Sequence, residues 1–282
     1  MFGRWLTWLL DAQAAWAEPF GGWLQPIVQW VFRPIPWIKD LLHGKWLGHP
    51  FHAASTDLPI GVLGIAVLFD VLGMAGAAAV AVASAIVLMV LSALSGLADY
   101  SDTEGLARQR ATVHATIMVL ALVLAGVSLL LRQGRPAVEL VPALLSAAAF
   151  GLLLLGAFVG GDVVYVLGNM VDRHAFRART SRWTRLEVDD IPENAPTKAQ
   201  AGGQALLLVR QGERILALHD VCSHAGCSLS KGTLLDGQVE CSCHGSRYRL
   251  VDGHVTRGPS VYDQPVYEVR KGDEGWEARR TA

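Results

Sequence analysis

The sequence predicts two domains of different class: a four-helix membrane domain followed by a small all-β domain. Three observations carry this. Long apolar runs fill residues 58–167, charges return at almost every second residue after Val171, and short β-rich runs with turn signals follow from Trp183. A chain of 282 residues is also of the length expected for about two domains.

The first 57 residues belong to neither domain and hold seven of the nine tryptophans. Trp16, Phe20, Trp23, Ile27 and Trp30 recur at spacings of four and three, which puts them on one helical face. Pro19, Gly21, Gly22 and Pro26 are expected to break that helix into pieces. Tryptophan favours the headgroup layer, where its ring lies in apolar surroundings and its N–H stays wet, so 1–57 reads as short amphipathic helices lying on the membrane. Docking of the segment against the protein's own domains is the alternative. The apolar stretch "WLTWLL" is too short for the core of a signal peptide.

From Leu58 to Ala98 the one charged residue is Asp70, and a single crossing needs only about 20 apolar residues. The stretch therefore holds two spans, about 58–74 and 78–98, with a glycine turn at Gly73 to Gly76. A third span, 111–131, is bounded by Arg110 and Arg132, and a fourth, 140–167, is interrupted by Asp162. The membrane domain is thus 58–171, a basic linker covers 172–182, and the β domain covers 183–280. In the last of these "ALLLVRQ", "RILALHD" and "PVYEVRK" alternate with Gly, Asp and Asn turns. A net charge of -1 and the lack of a long basic block argue against a nucleic-acid partner.

All four cysteines lie in "CSHAGC" (222–227) and "CSCHGSRY" (241–248). The pattern is Cys222-x-His224, sixteen residues, then Cys241-x-x-His244. A tetrahedral Cys2His2 zinc site is one way to use such residues. Zinc fingers usually keep cysteines in one knuckle and histidines in another, whereas here each loop offers one of each. That mixed order suits a two-iron cluster with both thiolates on one iron and both imidazoles on the other.

These residues resemble the motif of the Rieske iron–sulfur family, over roughly Trp183 to Arg279. The resemblance implies an antiparallel β-sandwich or barrel and a [2Fe-2S] cluster bound by Cys222, His224, Cys241 and His244. It further implies a disulfide between Cys227 and Cys243, a feature of the cytochrome bc-type branch. In that branch the positions of Ser246 and Tyr248 donate hydrogen bonds to cluster sulfur, Gly245 lets the backbone pass close, and Pro259 lies in a loop covering the cluster. Such donors raise the potential. Two departures stand out: Ala225 replaces the leucine usual in bc-type proteins, which weakens the case for quinol oxidation, and four spans replace a single anchor.

The run "HPFHAASTDLPIGVLGIAVLFDVLG" with "SGLADY" resembles a widespread bacterial four-helix membrane family without assigned chemistry. If its helices alternate, His49, His52, Asp57, Asp99, Asp102, His114 and Asp162 meet near one membrane face. A pair such as His52 and His114 could ligate haem b or a metal, or bind a quinone. Capping of helix ends and mutual pairing is the alternative use of these groups.

Charge sets the expected orientation. Lys39, Lys45, Arg108, Arg110, Arg173, Arg177, Arg179 and Arg182 flank the face shared by both termini, against Arg132 and Arg135 on the other. The positive-inside rule then puts the termini and the Rieske domain in the cytoplasm, in a multi-pass protein of the bacterial inner membrane. No Arg-Arg pair precedes a span, as export of a folded cluster domain would require. A cytoplasmic disulfide persists only if its potential is low.

The functional expectation is a membrane-tethered one-electron carrier, exchanging electrons through exposed histidine ligands with a quinol, haem protein or oxygenase. A subunit of a quinol-oxidising or oxygenase complex, or a redox sensor, are the alternatives. A stand-alone oxygenase is not expected, since it needs a large catalytic domain after the Rieske module.

Overall fold

The computed structural model describes residues 2–175 and 182–281. Six of the expected linker residues, among them Arg177 and Arg179, lie outside the described residues. The chain forms two compact units, Met1–Ile38 with Phe51–Asn169 and Lys39–Pro50 with Met170–Ala282. This partition differs from the linear one read from composition, because a short piece of the N-terminal segment, 39–50, folds with the β domain.

The first unit is helical. Its N-terminal helices are α1 (Phe2–Asp11) and α2 (Ala14–Phe32), and α3 (Pro36–His43) leads out of it. The apolar helices are α4 (Phe51–Ser55) with α5 (Asp57–Val71), α6 (Ala75–Tyr100), α7 (Gly105–Leu131) and α8 (Leu140–Gly161). Taking α4 with α5 and α8 with the turn after it, the four spans Phe51–Val71, Ala75–Tyr100, Gly105–Leu131 and Leu140–Val166 are long and apolar enough to cross a membrane. The turn between the first two falls at Gly73, whose φ of +74° favours glycine. The core between the helices is largely alanine, with Ala66, Ala81, Ala85, Ala121, Ala125 and Ala149 fully or almost fully buried, as close helix packing in lipid requires.

Helix α2 corrects an expectation: it runs unbroken through Pro19 and Pro26. Tertiary packing outweighs the breakers. Ala17, Gly21, Gln25, Val28 and Phe32 form its buried face. A Cβ on Gly21 would stand 2.6 Å from Thr112 Oγ1, so glycine here permits a close approach rather than a turn. The Gln25 amide donates to the carbonyls of Tyr100, Ser101 and Thr103, at 2.6 Å to the last, and so ties α2 to the end of α6. On the opposite face Trp16, Phe20, Trp23, Ile27 and Trp30 are all exposed, Trp30 most of all at 72 %.

The helix ends also differ from the apolar limits. Helix α7 begins six residues before Ala111 and so contains Arg110, which is buried and pairs with Asp162 and, at 3.0 Å, with Asp11. Asp162 opens a π-helical turn, Asp162–Val166, at the end of the fourth span. At the other end of the bundle Arg132 is not a free cation: it forms a bidentate pair with Asp70, both contacts 2.6 Å, and also reaches Ser146. Paired in this way, each charge escapes the cost of standing alone in an apolar layer.

The second unit is a closed barrel with an appended sheet. The barrel strands are β1 (Thr184–Glu187), β2 (Thr197–Ala201), β3 (Gln204–Gln211) and β4 (Arg214–His219), closed by β9 (Val266–Gly272) and β10 (Gly275–Arg280) in the order β1-β10-β9-β4-β3-β2. Between β4 and β9 the chain builds a second sheet from β5 (Thr233–Leu235), β6 (Gln238–Glu240), β7 (Arg247–Arg249) and β8 (Val255–Arg257). The unbroken apolar run in β3 follows from its place between two cores. Leu206 and Leu208 enter the barrel interior, while Leu207 and Val209 point to a cluster that includes Cys222, Cys241 and Tyr248.

Candidate iron–sulfur site

Two loops of one design face each other in the second unit. The first follows β4 and the second joins β6 to β7. In the first, the Cys222 N–H donates to Cys227 O at 2.8 Å and the Gly226 N–H to Cys222 O at 3.0 Å. In the second, the Cys241 N–H donates to Ser246 O at 2.8 Å and the Gly245 N–H to Cys241 O at 3.0 Å. Gly226 and Gly245 occupy the same place with φ of +88° and +75°, a region costly for other residues. The match of the two loops makes Gly226 a counterpart of Gly245 that the sequence reading passed over, although "AGC" and "HGS" offer the signal.

A disulfide joins the loops from Cys227 to Cys243, sixteen residues apart. Cys222 and Cys241 remain as free thiols, both buried. The His224 and His244 rings lie 4.8 Å apart at 83°. Their exposure is uneven: His244 is half-buried but His224 is only 4 % exposed, which corrects the expectation of two open histidines. Burial of this kind depends on which elements cover the loop, and spacing alone does not carry it.

The two free thiols are shifted in opposite directions. A hydrogen bond between the thiols, followed by burial, pushes Cys222 well up, and the same bond draws Cys241 down to about 6, helped by the N–H groups of Cys243 and His244. A proton shared in this way leaves one sulfur ready as a thiolate, the form that binds metal. The Tyr248 hydroxyl stands 3.2 Å from Cys222 Sγ, and burial first, then the Cys222 sulfur, pushes its own ionisation up, so it stays a donor.

A third loop, between β8 and β9, carries Gly258, Pro259 and Ser260, all buried. The Ser260 N–H donates to Ser246 Oγ at 3.0 Å, which occupies an acceptor position and leaves the hydroxyl proton of Ser246 to donate elsewhere. Residues from the N-terminal segment hold this loop from outside. Asp40 Oδ1 accepts the Gly258 N–H at 2.9 Å, Lys45 Nζ donates to Thr256 O at 2.7 Å, and Asp40 and Lys45 pair at 3.6 Å. His43, fully buried, packs beside Gly258, where an added Cβ would stand 3.3 Å from its Cδ2.

The first loop has its own braces. Gln264 accepts from the Ser223 N–H at 3.1 Å and Ser223 Oγ at 2.5 Å, and donates to the carbonyls of His219 and Val221. Asp220 accepts from Ser228 Oγ and the Ser230 N–H. None of Asp40, Lys45, His43, Asp220 or Gln264 carries a signal in its own neighbourhood of sequence.

The membrane residues expected to converge do so only in part. His52 and His114 lie 6.1 Å apart between ring centres. Asp162 pairs with Arg110, Asp102 accepts from Ser101 Oγ, Asp99 is half-buried, and His49 and Asp57 are exposed. Among the described residues no three of these seven bring ligand atoms within 4.8 Å of one another. Among the described residues the one grouping of that kind is Cys227, Cys241 and Cys243, two of which are consumed by the disulfide.

The donor set fits a mixed-ligand cluster: two free buried thiols and two imidazoles on facing loops, with the remaining thiols withdrawn as a disulfide. Comparison with known proteins agrees. Residues 182–268 match the Rieske [2Fe-2S] domain family, and residues 48–173 match a predicted membrane protein family, DUF2231. The anthranilate 1,2-dioxygenase ferredoxin subunit of Burkholderia cepacia is 32 % identical over 94 residues, 33 % of this chain and 87 % of that one. Cytochrome b6-f complex iron-sulfur subunit 3 of a Nostoc species is 38 % identical over 71 residues, 24 % of this chain and 39 % of the relative. Among solved structures, the ferredoxin of carbazole 1,9a-dioxygenase from Nocardioides aromaticivorans aligns over 36 % of this chain and 99 % of its own, with a TM-score of 0.32 and 24 % identity. Such relatives are electron-transfer proteins. The chain belongs to the Rieske [2Fe-2S] family through its C-terminal domain, and its four apolar helices lie within the stretch that matches the DUF2231 predicted membrane protein family.

Proposed function

We propose that the chain is a membrane-anchored one-electron carrier. In this reading Cys222 and Cys241 bind one iron of a [2Fe-2S] cluster and His224 and His244 the other. The observation that carries it is the pair of like-built loops tied by Cys227–Cys243, which present two thiols and two imidazoles to one place. When bound, the cluster supplies one-electron chemistry; this chain's residues orient it and set its poise. Tyr248 and Ser246 offer hydroxyl protons to sulfur, which favours the reduced state. The potential therefore falls in the upper half of the family range of about -150 to +300 mV. Gly245 keeps the second loop tight against the sulfurs, and Pro259 covers the site from a third side.

The domain reading is 1–57 as an interfacial segment, 58–171 as the membrane domain, 172–182 as linker and 183–280 as the Rieske domain. We place the protein in the bacterial inner membrane with the Rieske domain and both termini in the cytoplasm. The count of Lys and Arg on the two faces, eight against two, supports this orientation. The donor and acceptor are membrane redox carriers or an oxygenase; quinol oxidation is disfavoured because exposed Ala225 offers no bulky apolar cover. Haem b or a quinone, if held, falls to His52 and His114.

Electron paramagnetic resonance of membranes containing the chain tests this. A histidine-ligated [2Fe-2S] signal already developed by ascorbate is expected. A signal that needs dithionite would contradict the high potential, and no signal in iron-replete cells would overturn the carrier reading.

A further inference from the structure

The membrane unit holds two histidines that the cluster does not use. His52 lies in α4, at the start of the first span, and His114 on the third turn of α7. Both rings are held in the same manner. His52 Nδ1 lies 2.9 Å from Ser92 O on α6, and His114 Nδ1 lies 2.8 Å from Gly156 O on α8. A carbonyl oxygen can only accept, so Nδ1 is the protonated nitrogen in each ring and Nε2 keeps its lone pair. One helical turn beyond each carbonyl a glycine meets the ring. A Cβ on Gly96 would come within 2.9 Å of His52, and one on Gly160 within 3.0 Å of His114. The same arrangement, a carbonyl followed four residues later by glycine, is thus built twice.

Fixing Nδ1–H on a backbone carbonyl is how proteins orient imidazoles that bind metal through Nε2. Ligand number and spacing narrow the metal. Structural zinc takes four protein ligands and catalytic zinc three, yet among the described residues no third His, Cys, Asp or Glu completes a group with these two. Through metal–nitrogen bonds of about 2.0–2.1 Å, two imidazoles centre roughly 6 Å apart on opposite sides of an ion and roughly 5 Å apart at a tetrahedral angle. The observed separation is 6.1 Å. Two neutral imidazoles at this separation, with no further protein ligand among the described residues, match the ligand set of an axially ligated haem iron. All four cysteines lie in the cluster domain, so no thioether attachment serves this site.

We propose that His52 and His114 are the axial ligands of a non-covalently bound haem in the membrane unit. The test uses the full chain in detergent, prepared from cells supplied with 5-aminolevulinate. About one haem b per chain is expected by pyridine haemochrome, with a low-spin reduced-minus-oxidised spectrum. His52→Ala and His114→Ala should each cut haem content by about tenfold or more while the cluster's paramagnetic signal persists as the control for folding. His52→Met and His114→Met, which keep an axial donor, should retain haem with a shifted spectrum. Haem-free wild-type protein, haem content unchanged in both alanine variants, or one equivalent of zinc or copper in place of haem would overturn the proposal. Loss of haem with the cluster intact separates this result from any failure of the Rieske reading.

Discussion

Two histidine pairs, one in each unit, are oriented by opposite means. His224 and His244 sit on loops, and their positions depend on contacts made far away in sequence: the Cys227–Cys243 disulfide, the Gln264 brace and the Asp40 and Lys45 clamp. His52 and His114 sit on helices, and each is held by a carbonyl and a glycine on the neighbouring helix. Loops give a site whose chemistry is written compactly in the sequence but whose rigidity is borrowed. Helices give a site whose rigidity is inherent but whose residues are scattered. Each pair should therefore fail through a different kind of substitution.

The largest expected effect is on the loop pair. Removing the disulfide with Cys227→Ala and Cys243→Ala releases a loop of sixteen residues and should cost about 3 kcal/mol, read by chemical denaturation of the β domain. The helix pair should be untouched by that change. Its own weak point is space: Gly96→Val or Gly160→Val drives a side chain into a histidine ring and should cost about 1–3 kcal/mol of overpacking, visible as a lower thermal midpoint of the membrane unit. A valine tolerated at both positions would show that the rings are not held as described.

Subtler changes probe tuning rather than folding. Tyr248→Phe removes the hydroxyl 3.2 Å from Cys222 Sγ. A hydrogen bond to a charged acceptor is worth about 1.5–3 kcal/mol, so for one electron the potential should fall by roughly 60–130 mV in a redox titration. The smallest effect is expected from Asp40→Ala, which frees the Gly258 N–H and loosens the loop over the cluster at a cost of about 1 kcal/mol. Faster amide exchange at Gly258 would report it, and unchanged exchange would remove the clamp from the account.

The contrast between the pairs also explains what was legible beforehand. Cys222, His224, Cys241 and His244 stand out because metal chemistry confines their types and short loops confine their spacing. The four spans are visible because lipid demands continuous apolarity, although it does not mark helix ends, and so Arg110 reads as a boundary while it is a buried, paired residue inside α7. Gly21 and Pro26 read as breakers because local propensity says nothing of the groove on α6 and α7 that keeps α2 whole. Asp40 lies more than two hundred residues from Gly258, and nothing near either position announces the other.

The central claim is that the β domain holds two irons in unlike surroundings, sulfur on one and imidazole nitrogen on the other. Nitrogen-sensitive electron–nuclear double resonance on the reduced, anaerobically purified full chain tests it most directly. Two distinct histidine nitrogens coupled to a [2Fe-2S] centre, with one reduced to a single coupling in His244→Cys, is the predicted result. Protein that carries zinc in place of iron after iron-replete preparation, or a cluster without nitrogen coupling, would contradict it.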